Sequence, residues 1–291
     1  MAENKEIENP RSKFTQLLDA AARLPGVRIN RAAYLRAALK RHCSEEQIER
    51  AVAESPAAAG IPFGVITSAA KDSIGYETAK VTALSAAAGI PGGFAMIGMV
   101  PADLAQYFGH VLRIAQKLAY IYSWPNLFAD DGEGDELDDA TEGILTLFVG
   151  VMFGLQMAQG GVAKVANMMA AQALKKLPQQ ALTKGVVYPV VKKVAAHLGL
   201  KMTKQIFAGG VAKIIPVLGA VLSGGLTLAT FLPMSRRLQK HLASLELTKP
   251  GHRAEEGDII DAVLVDDVSQ DESEELELIV TADSSELVEQ P

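Results

Sequence analysis

Polar side chains that suit ligand binding or proton transfer share one predicted helix face. Asp103, Gln106, Tyr107, His110 and Arg113 are spaced as neighbours along one side of an α-helix. A carboxylate, a phenol, an imidazole and a guanidinium in one stripe can bind a polar head group or relay protons. We therefore predict a ligand-binding face of Asp103, Tyr107, His110 and Arg113. The alternative is structural: Asp103 favours the helix N-terminus, and the other side chains bond to neighbouring helices.

An acidic segment follows this helix and has the spacing of a calcium loop. Five acidic residues match ligand positions of an EF-hand: Asp131, Glu133, Asp135, Asp139 and Glu142. The glycine that the sharp turn of such a loop requires is replaced by Glu136. A solvated acidic loop is the prediction, with calcium binding as the less favoured alternative.

Signatures of catalysis and of metal binding are missing from the sequence. The chain has no phosphate-binding glycine loop, no nucleophile elbow and no zinc-protease motif. Cys43 and the five histidines do not have metal-ligand spacing. We predict no catalytic residue, no cofactor and no resident metal, and we favour a protein that is not an enzyme.

The second half of the chain lacks acidic residues. No Asp or Glu occurs from Gly143 to Leu245, whereas twelve Lys and Arg do. From residue 254 onward there are 14 acids and no Lys or Arg, so the net charge of −6 conceals a body with 28 basic and 20 acidic residues. An average chain is about 25% charged with both signs mixed. A cationic, apolar half is typical of a surface that faces anionic lipid or another polyanion.

Part of this half resembles a basic amphipathic helix on a membrane surface. Lysines alternate with valines and leucines across residues 184–213. The predicted membrane-contact residues are Lys184, Lys192, Lys193, Lys201, Lys204, Lys213, Arg236 and Arg237. Nucleic acid is disfavoured as the polyanion because arginines and aromatic side chains are not interleaved with the lysines. A solvated lysine face over a core is the simpler alternative.

Three uncharged segments are long enough to cross a bilayer, namely 81–102, 143–163 and 214–235. The first two are interrupted by Gly, Pro or Gln, which makes 214–235 the best candidate. Its small residues suit close helix packing in a membrane and in a soluble bundle alike. Because the N-terminus has no apolar signal segment and Cys43 is the single cysteine, we predict a cytoplasmic protein, peripheral to the inner membrane. Integral insertion through 214–235 is the alternative.

Helical periodicity dominates the body of the chain. Asn30 is predicted to cap one helix, and Ser44 with Gln47 forms a capping box for the next. Further predicted helices are 61–73, 77–88, 102–122, 138–158, 162–177, 186–198, 203–211, 214–231 and 235–245. The predicted fold is all-α: a multi-helix bundle with Gly/Ala-rich central hairpins (1–248) and a disordered acidic C-terminal tail (249–291).

Several Gly- and Pro-containing segments carry a resemblance to a known family. They are Leu24–Val27, Arg31–Leu35, Ala88–Gly93, Pro101–Asp103, Tyr188–Lys193 and Ile215–Ala220. With these segments the chain resembles the EcsC family of bacterial proteins over about residues 10–245. The resemblance implies a helical, membrane-associated protein linked to an ABC-transporter operon. It brings no established enzymatic activity and no catalytic residues.

Charge pattern and resemblance together predict a non-enzymatic, membrane-associated accessory protein, tied to an ABC transporter or to envelope traffic. Its expected partners are an anionic membrane surface and a transporter or other membrane protein, with a protein partner for the acidic tail. One alternative is a lipid-handling helical protein or enzyme, in which the face from Asp103 to His110 meets the head group. The other is a pore-former that inserts 214–235.

Overall fold

The computed structural model describes residues 10–87, 96–97, 100–128, 137–171, 176–207 and 225–249. It describes side chains within 13–82, 104–128, 137–171, 176–200 and 230–249. The predicted acidic tail therefore lies outside the described residues, apart from Lys249. Lys213 and residues 131–136 of the acidic segment lie outside them as well.

Within the described ranges the chain forms ten α-helices: α1 (Pro10–Ala22), α2 (Arg31–Leu39), α3 (Glu45–Ala53), α4 (Phe63–Ala87), α5 (Ala102–Ile121), α6 (Asp139–Met152), α7 (Gln156–Ala171), α8 (Gln179–Thr183), α9 (Tyr188–Phe207) and α10 (Gly225–Ala243). Two short strands, β1 (Met96–Ile97) and β2 (Val100–Pro101), pair antiparallel before α5. A 3-10 turn, Glu246–Thr248, follows α10. The prediction of an all-α, multi-helix fold is confirmed.

Local chemistry accounts for the start of α2 and α3. The side chain of Asn30 accepts a hydrogen bond of 2.8 Å from the amide of Ala33. Ser44 and Gln47 form the predicted capping box, in which each side chain accepts from the other residue's amide. These three bonds satisfy amides that have no carbonyl partner within the helix. The two predicted caps are confirmed.

Arg31 joins the end of α3 to the end of α5. Its guanidinium donates to the carbonyl oxygens of Ala51, Val52 and Glu54, and to that of Trp124 at 3.2 Å. Carbonyls at a helix C-terminus lack partners within the helix and carry partial negative charge. This cation therefore binds a helix end rather than a carboxylate.

Helix α5 lies at the centre of the bundle. It contacts α1, α2, α4, α6 and α10, and every residue from 114 to 125 is buried. The indole ring of Trp124 packs edge-on against Phe148 of α6, with ring centroids 5.0 Å apart. Helix α4 runs antiparallel beside α5, because Phe63 near its start contacts Tyr122, whereas Glu77 contacts His110.

Two glycines let α6, α7 and α9 approach closely. A Cβ on Gly150 of α6 would lie 2.6 Å from Cβ of Ala158 and 2.7 Å from Cγ1 of Val194. A Cβ on Gly161 of α7 would lie 3.0 Å from Leu147. The separations at Gly150 are shorter than carbon atoms tolerate, so only glycine fits there, whereas a Cβ at Gly161 would require the side chain of Leu147 to shift. The α6–α7 hairpin is thus a close-packed pair with glycine at the contact.

Several predicted helix boundaries are wrong. Helix α4 continues through Gly75, and α9 continues through Gly199, because a glycine costs only about 1 kcal/mol within a helix whose neighbouring residues are buried. Helix α10 continues through Pro233. The side chain of Pro233 is exposed, whereas those of Phe231 and Met234 are buried. The sequence pattern also does not predict the end of α6, which is followed by Gly154 with φ +86°.

The length and apolarity required of a membrane-spanning helix are not met by any helix in the described part of the chain. Of the candidate segment 214–235, α10 includes only 225–235, and residues 214–224 lie outside the description.

Candidate functional site

The predicted polar face of α5 contacts protein atoms on α4, on α10 and in the connection between α1 and α2. Tyr107, His110 and Arg113 all lie on α5, as the spacing requires. Asp103 is in the first turn of the helix, and its side chain is outside the description. The structure adds two residues to this face, Gln116 and Lys117, one turn further along.

A fully buried carboxylate on α4 is the centre of the arrangement. Oε1 of Glu77 accepts from Nζ of Lys117 at 2.5 Å and from Nη2 of Arg113 at 3.1 Å. Oε2 of Glu77 lies 3.3 Å from Nδ1 of His110. We call these four residues, Glu77, His110, Arg113 and Lys117, the Glu77 cluster.

The hydrogen bonds of the cluster keep Glu77 ionised. Burial by itself would raise the pKa of this carboxyl group. The hydrogen bonds from His110, Arg113 and Lys117, with the charge of Lys117, outweigh burial and lower the pKa of Glu77 from 4.5 to about 2. A general base works best when its pKa is near the operating pH. Glu77 is therefore a poor proton acceptor and a strong anchor for cations.

Lys117 also contacts aromatic rings. Its ammonium nitrogen lies 5.0 Å from the ring centroid of Tyr76 and 5.9 Å from that of Tyr34. The Tyr34 hydroxyl pairs with the Ser73 hydroxyl at 2.8 Å. These contacts place aromatic rings of α2 and α4 beside Lys117, while the side chain of Glu77 itself is fully buried.

The connection between α1 and α2 is bound to α5 by two side chains of the polar face. Arg113 donates to the carbonyl of Gly26, a residue with φ +72°. The amide side chain of Gln116 donates to the carbonyl of Val27 at 3.0 Å and accepts from the amide of Ile29 at 2.8 Å. Leu24–Val27, one of the segments that carry the family resemblance, is therefore a structural connection held by α5.

Tyr107 joins α5 to α10. Its ring packs edge-on against Phe108 and Phe231, and its hydroxyl donates to the sulfur of Met234 at 3.8 Å. Burial raises the pKa of Tyr107, while a hydrogen bond with Thr230 acts in the opposite direction. Tyr107, His110 and Arg113 thus each contact protein groups, which supports the structural alternative for this face.

Sequence reasoning missed Glu77 and Lys117. Glu77 lies on the stripe of Ala70, Ile74 and Val81, which are all buried on one side of α4. A single carboxylate within an apolar stripe signals a buried partner, because an unpaired charge is costly there. The pattern gives no indication that this partner is on α5.

Two acidic residues of this segment, Asp138 and Glu142, form hydrogen bonds within the protein, whereas Asp131, Glu133 and Asp135 lie outside the described residues. Asp138 caps α6 through the amides of Ala140 and Thr141, both at 3.0 Å. Glu142 accepts from the hydroxyl of Thr15 on α1 at 3.0 Å. Among the residues whose placement is described, no three His, Cys, Asp or Glu side chains are grouped so as to hold a metal ion.

The predicted membrane-contact residues that the structure describes lie in the turn after α8, on α9 and on α10. Lys184, Lys192 and Lys193 are exposed around the turn that joins α8 to α9, and we call these three residues the basic surface. Lys201 and Lys204 continue α9, but their side chains are not described. Arg236 and Arg237 are exposed on α10, and Nη1 of Arg237 also donates to the carbonyl of Met152 at 3.2 Å. Arg237 therefore also binds the C-terminal end of α6.

An apolar side chain lies between the lysines of the basic surface. Val186 is 67% exposed, the largest exposure among the large hydrophobic residues that the structure describes. Nζ of Lys192 lies 4.4 Å from the ring centroid of Tyr188. Helix α9 packs against α1, where Asp19 is paired with its neighbour Arg23 at 2.8 Å. The basic surface thus belongs to a segment with no acid of its own, from 143 to 245.

Comparison of the chain with protein-family models, with curated proteins and with solved structures gives no match in any of the three.

Proposed function

We propose that this protein is a non-enzymatic, membrane-associated accessory protein of the EcsC type that attaches to an anionic bilayer through its basic surface. A membrane protein such as an ABC transporter is the partner that the family resemblance favours. The attachment is peripheral and takes place at the inner face of the membrane. This proposal joins the charge pattern, the resemblance and the exposure of the lysines.

The exposure of Lys184, Lys192 and Lys193 within an acid-free segment is the observation that carries the proposal. Each Lys close to an anionic leaflet contributes about 1 kcal/mol of attraction. Three such residues contribute about 3 kcal/mol together, and other cations of the same half add to this attraction. Salt weakens the attraction, because the Debye length falls to about 3 Å at 1 M ionic strength.

The state of the α5 face supports an accessory role over an enzymatic one. The carboxylate of Glu77 is ionised and saturated with donors, and Arg113 divides its donors between Glu77 and Gly26. Such groups hold helices together. The lipid-handling alternative requires the face from Asp103 to His110 to contact a head group, whereas the side chain of His110 contacts Glu77, as does that of Arg113 one turn further along.

Vesicle sedimentation tests the proposal. Full-length protein is incubated with vesicles of phosphatidylcholine alone, or of phosphatidylcholine with about one third phosphatidylglycerol. We expect sedimentation with the anionic vesicles only, and release at high salt. The triple variant Lys184→Gln/Lys192→Gln/Lys193→Gln should bind at least about tenfold more weakly, since about 1 kcal/mol is lost per lysine.

A matched control separates the basic surface from overall charge. Lys40, Arg41 and Lys71 are also exposed, but Lys40 and Arg41 directly follow α2 and Lys71 lies on α4. The variant Lys40→Gln/Arg41→Gln/Lys71→Gln removes the same number of charges and should bind like the unmodified protein. Equal sedimentation with neutral and anionic vesicles would refute the proposed function, and equal losses in both triple variants would refute the assignment to this surface.

A further inference from the structure

The turn between α8 and α9 is fixed by its backbone. The amides of Lys184 and Gly185 both donate to the carbonyl of Gln180, at 3.0 and 2.7 Å. The amide of Tyr188 donates to the carbonyl of Gly185 at 3.1 Å. A Cβ on Gly185 would lie 2.9 Å from Cα of Ala181, so the turn requires glycine at this position. A turn held in this way has one conformation to present to a partner.

Buried residues on both sides anchor the turn to the body. Leu182 is 1% exposed and Val187 is 0% exposed. Val186 lies between them and projects outward, and Pro189 beside it is exposed as well. Because its neighbours are anchored in the core, Val186 stays exposed to water, where its apolar surface is unfavourable. Val186 cannot turn inward without displacing Val187.

The surroundings of Val186 suit the boundary between water and lipid. Lys184 and Lys192 are exposed on either side of it along the chain, and long lysine side chains place their ammonium groups at phosphates while their stems cover apolar surface. The ring of Tyr188 under Lys192 has the amphipathic character that is enriched at membrane interfaces. An exposed apolar side chain with flanking cations, which we call the tip of the turn, is typical of segments that insert shallowly into a membrane.

We propose that Val186 inserts into the head-group and acyl boundary of an anionic bilayer, with Lys184 and Lys192 bound to lipid phosphates. The inference rests on the proposed function and deepens it by naming the point of entry. Charge complementarity selects the occupant, since the segment from 143 to 245 has no acid to repel anionic lipid. The turn has no Arg and no stacking platform of several aromatic rings, which a nucleic acid would require.

A fluorescent label at the tip tests the insertion. The single cysteine Cys43 is replaced (Cys43→Ser), and the variant Val186→Cys is labelled with the environment-sensitive dye NBD. We expect a blue shift and at least about a twofold rise in NBD emission on vesicles with phosphatidylglycerol, because the dye leaves water. The same label at Arg41→Cys, an exposed position after α2, should show no change.

A substitution that keeps the lysines completes the test. Val186→Ser removes the apolar tip at an exposed site and should weaken anionic-vesicle binding about three- to tenfold, with unchanged thermal unfolding. The control is Phe63→Ser, which removes another exposed apolar side chain, 41% exposed, at the start of α4. Its vesicle binding should equal that of the unmodified protein.

The outcomes distinguish the two proposals. If the protein sediments with anionic vesicles while NBD at position 186 keeps its emission in water, the insertion is wrong and the proposed function stands. If the unmodified protein does not sediment with anionic vesicles, both fail. A blue shift of equal size on neutral vesicles, or preference for a DNA duplex over anionic vesicles at the same salt, would overturn the assignment of the lysines to anionic lipid.

Discussion

The ammonium nitrogen of Lys117 lies 2.5 Å from Oε1 of Glu77, although the two residues are 40 positions apart in the chain. The contact links α4 to α5 through opposite charges, and His110 and Arg113 of α5 bind the same carboxylate. Arg113 also donates to the carbonyl of Gly26. One buried anion thus organises two helices and the connection between α1 and α2.

Removing the charge of Glu77 should destabilise the protein strongly. Glu77→Gln leaves two buried cations without their carboxylate, and breaking a buried ion pair typically costs about 3–5 kcal/mol. We expect a loss of about 3 kcal/mol or more in the free energy of unfolding, measured by urea denaturation. The control is Glu49→Gln, whose partner Arg36 is exposed, and it should have little effect. Similar losses in the two variants would contradict the role of the cluster.

The stability contributed by Glu77 should depend on pH in a defined window. Its pKa in the folded protein is lowered to about 2 from 4.5, so the unfolded chain binds more protons in this range. The contribution is therefore complete above about pH 5 and is lost as the pH falls toward 2. We expect the difference in unfolding free energy between the unmodified protein and Glu77→Gln to shrink from pH 6 to pH 3. A difference that is constant with pH would show that Glu77 is not an ion pair.

Gly150 of α6 and Gly160 of α7 should respond to alanine in opposite directions if the packing between the two helices is as described. Gly150→Ala on α6 places a methyl group 2.6 Å from Ala158, and overpacking of this kind costs about 1–3 kcal/mol. Gly160→Ala on α7 meets no atom within 4 Å, and removing a helical glycine stabilises by about 0.5–1 kcal/mol. Thermal unfolding of both variants checks the two signs. A stabilised Gly150→Ala would mean that α6, α7 and α9 are further apart.

Features that depend on local chemistry were open to prediction from the sequence. The caps at Asn30 and Ser44 follow from side chains bonding to nearby amides, and both are confirmed. The all-α class follows from the helical period over the whole body. The end of α6 was missed because the sequence pattern does not distinguish Gly154, which has φ +86°, from glycines within helices such as Gly75.

Features that depend on tertiary contacts were not open to prediction. The continuation of α10 through Pro233 is stabilised by Phe231 and Met234 packing on Tyr107, which lies 127 positions away from Met234. The partners of His110 and Arg113 are equally distant, since Glu77 is on another helix. The spacing predicts that these side chains share one face of α5, but it does not predict which residues that face contacts.

The half-buried guanidinium of Arg31 should not be replaceable by lysine. It donates to four carbonyl oxygens from α3 and from the end of α5, and its planar fork sets the directions. Arg31→Lys loses several of these bonds, each worth about 1.5–3 kcal/mol when the donor is charged. We expect a loss of about 2 kcal/mol or more, followed by the fluorescence of the single Trp124, with the exposed Arg41→Lys as an unaffected control. An unchanged midpoint for Arg31→Lys would mean that its charge alone matters.

Membrane attachment in cells should be electrostatic. Because the lysines of the basic surface interact with lipid through screened charge, a high-salt wash of the membrane fraction should release most of the protein. If Val186 inserts shallowly, a minor fraction of the protein should stay on the membrane after the salt wash and be released by alkaline carbonate. The variant Val186→Ser should remain folded and lack this salt-resistant fraction. The measurement is the amount of full-length, untagged protein in each wash. Resistance to both salt and carbonate would instead indicate insertion through 214–235, and recovery of all the protein without membranes would exclude attachment.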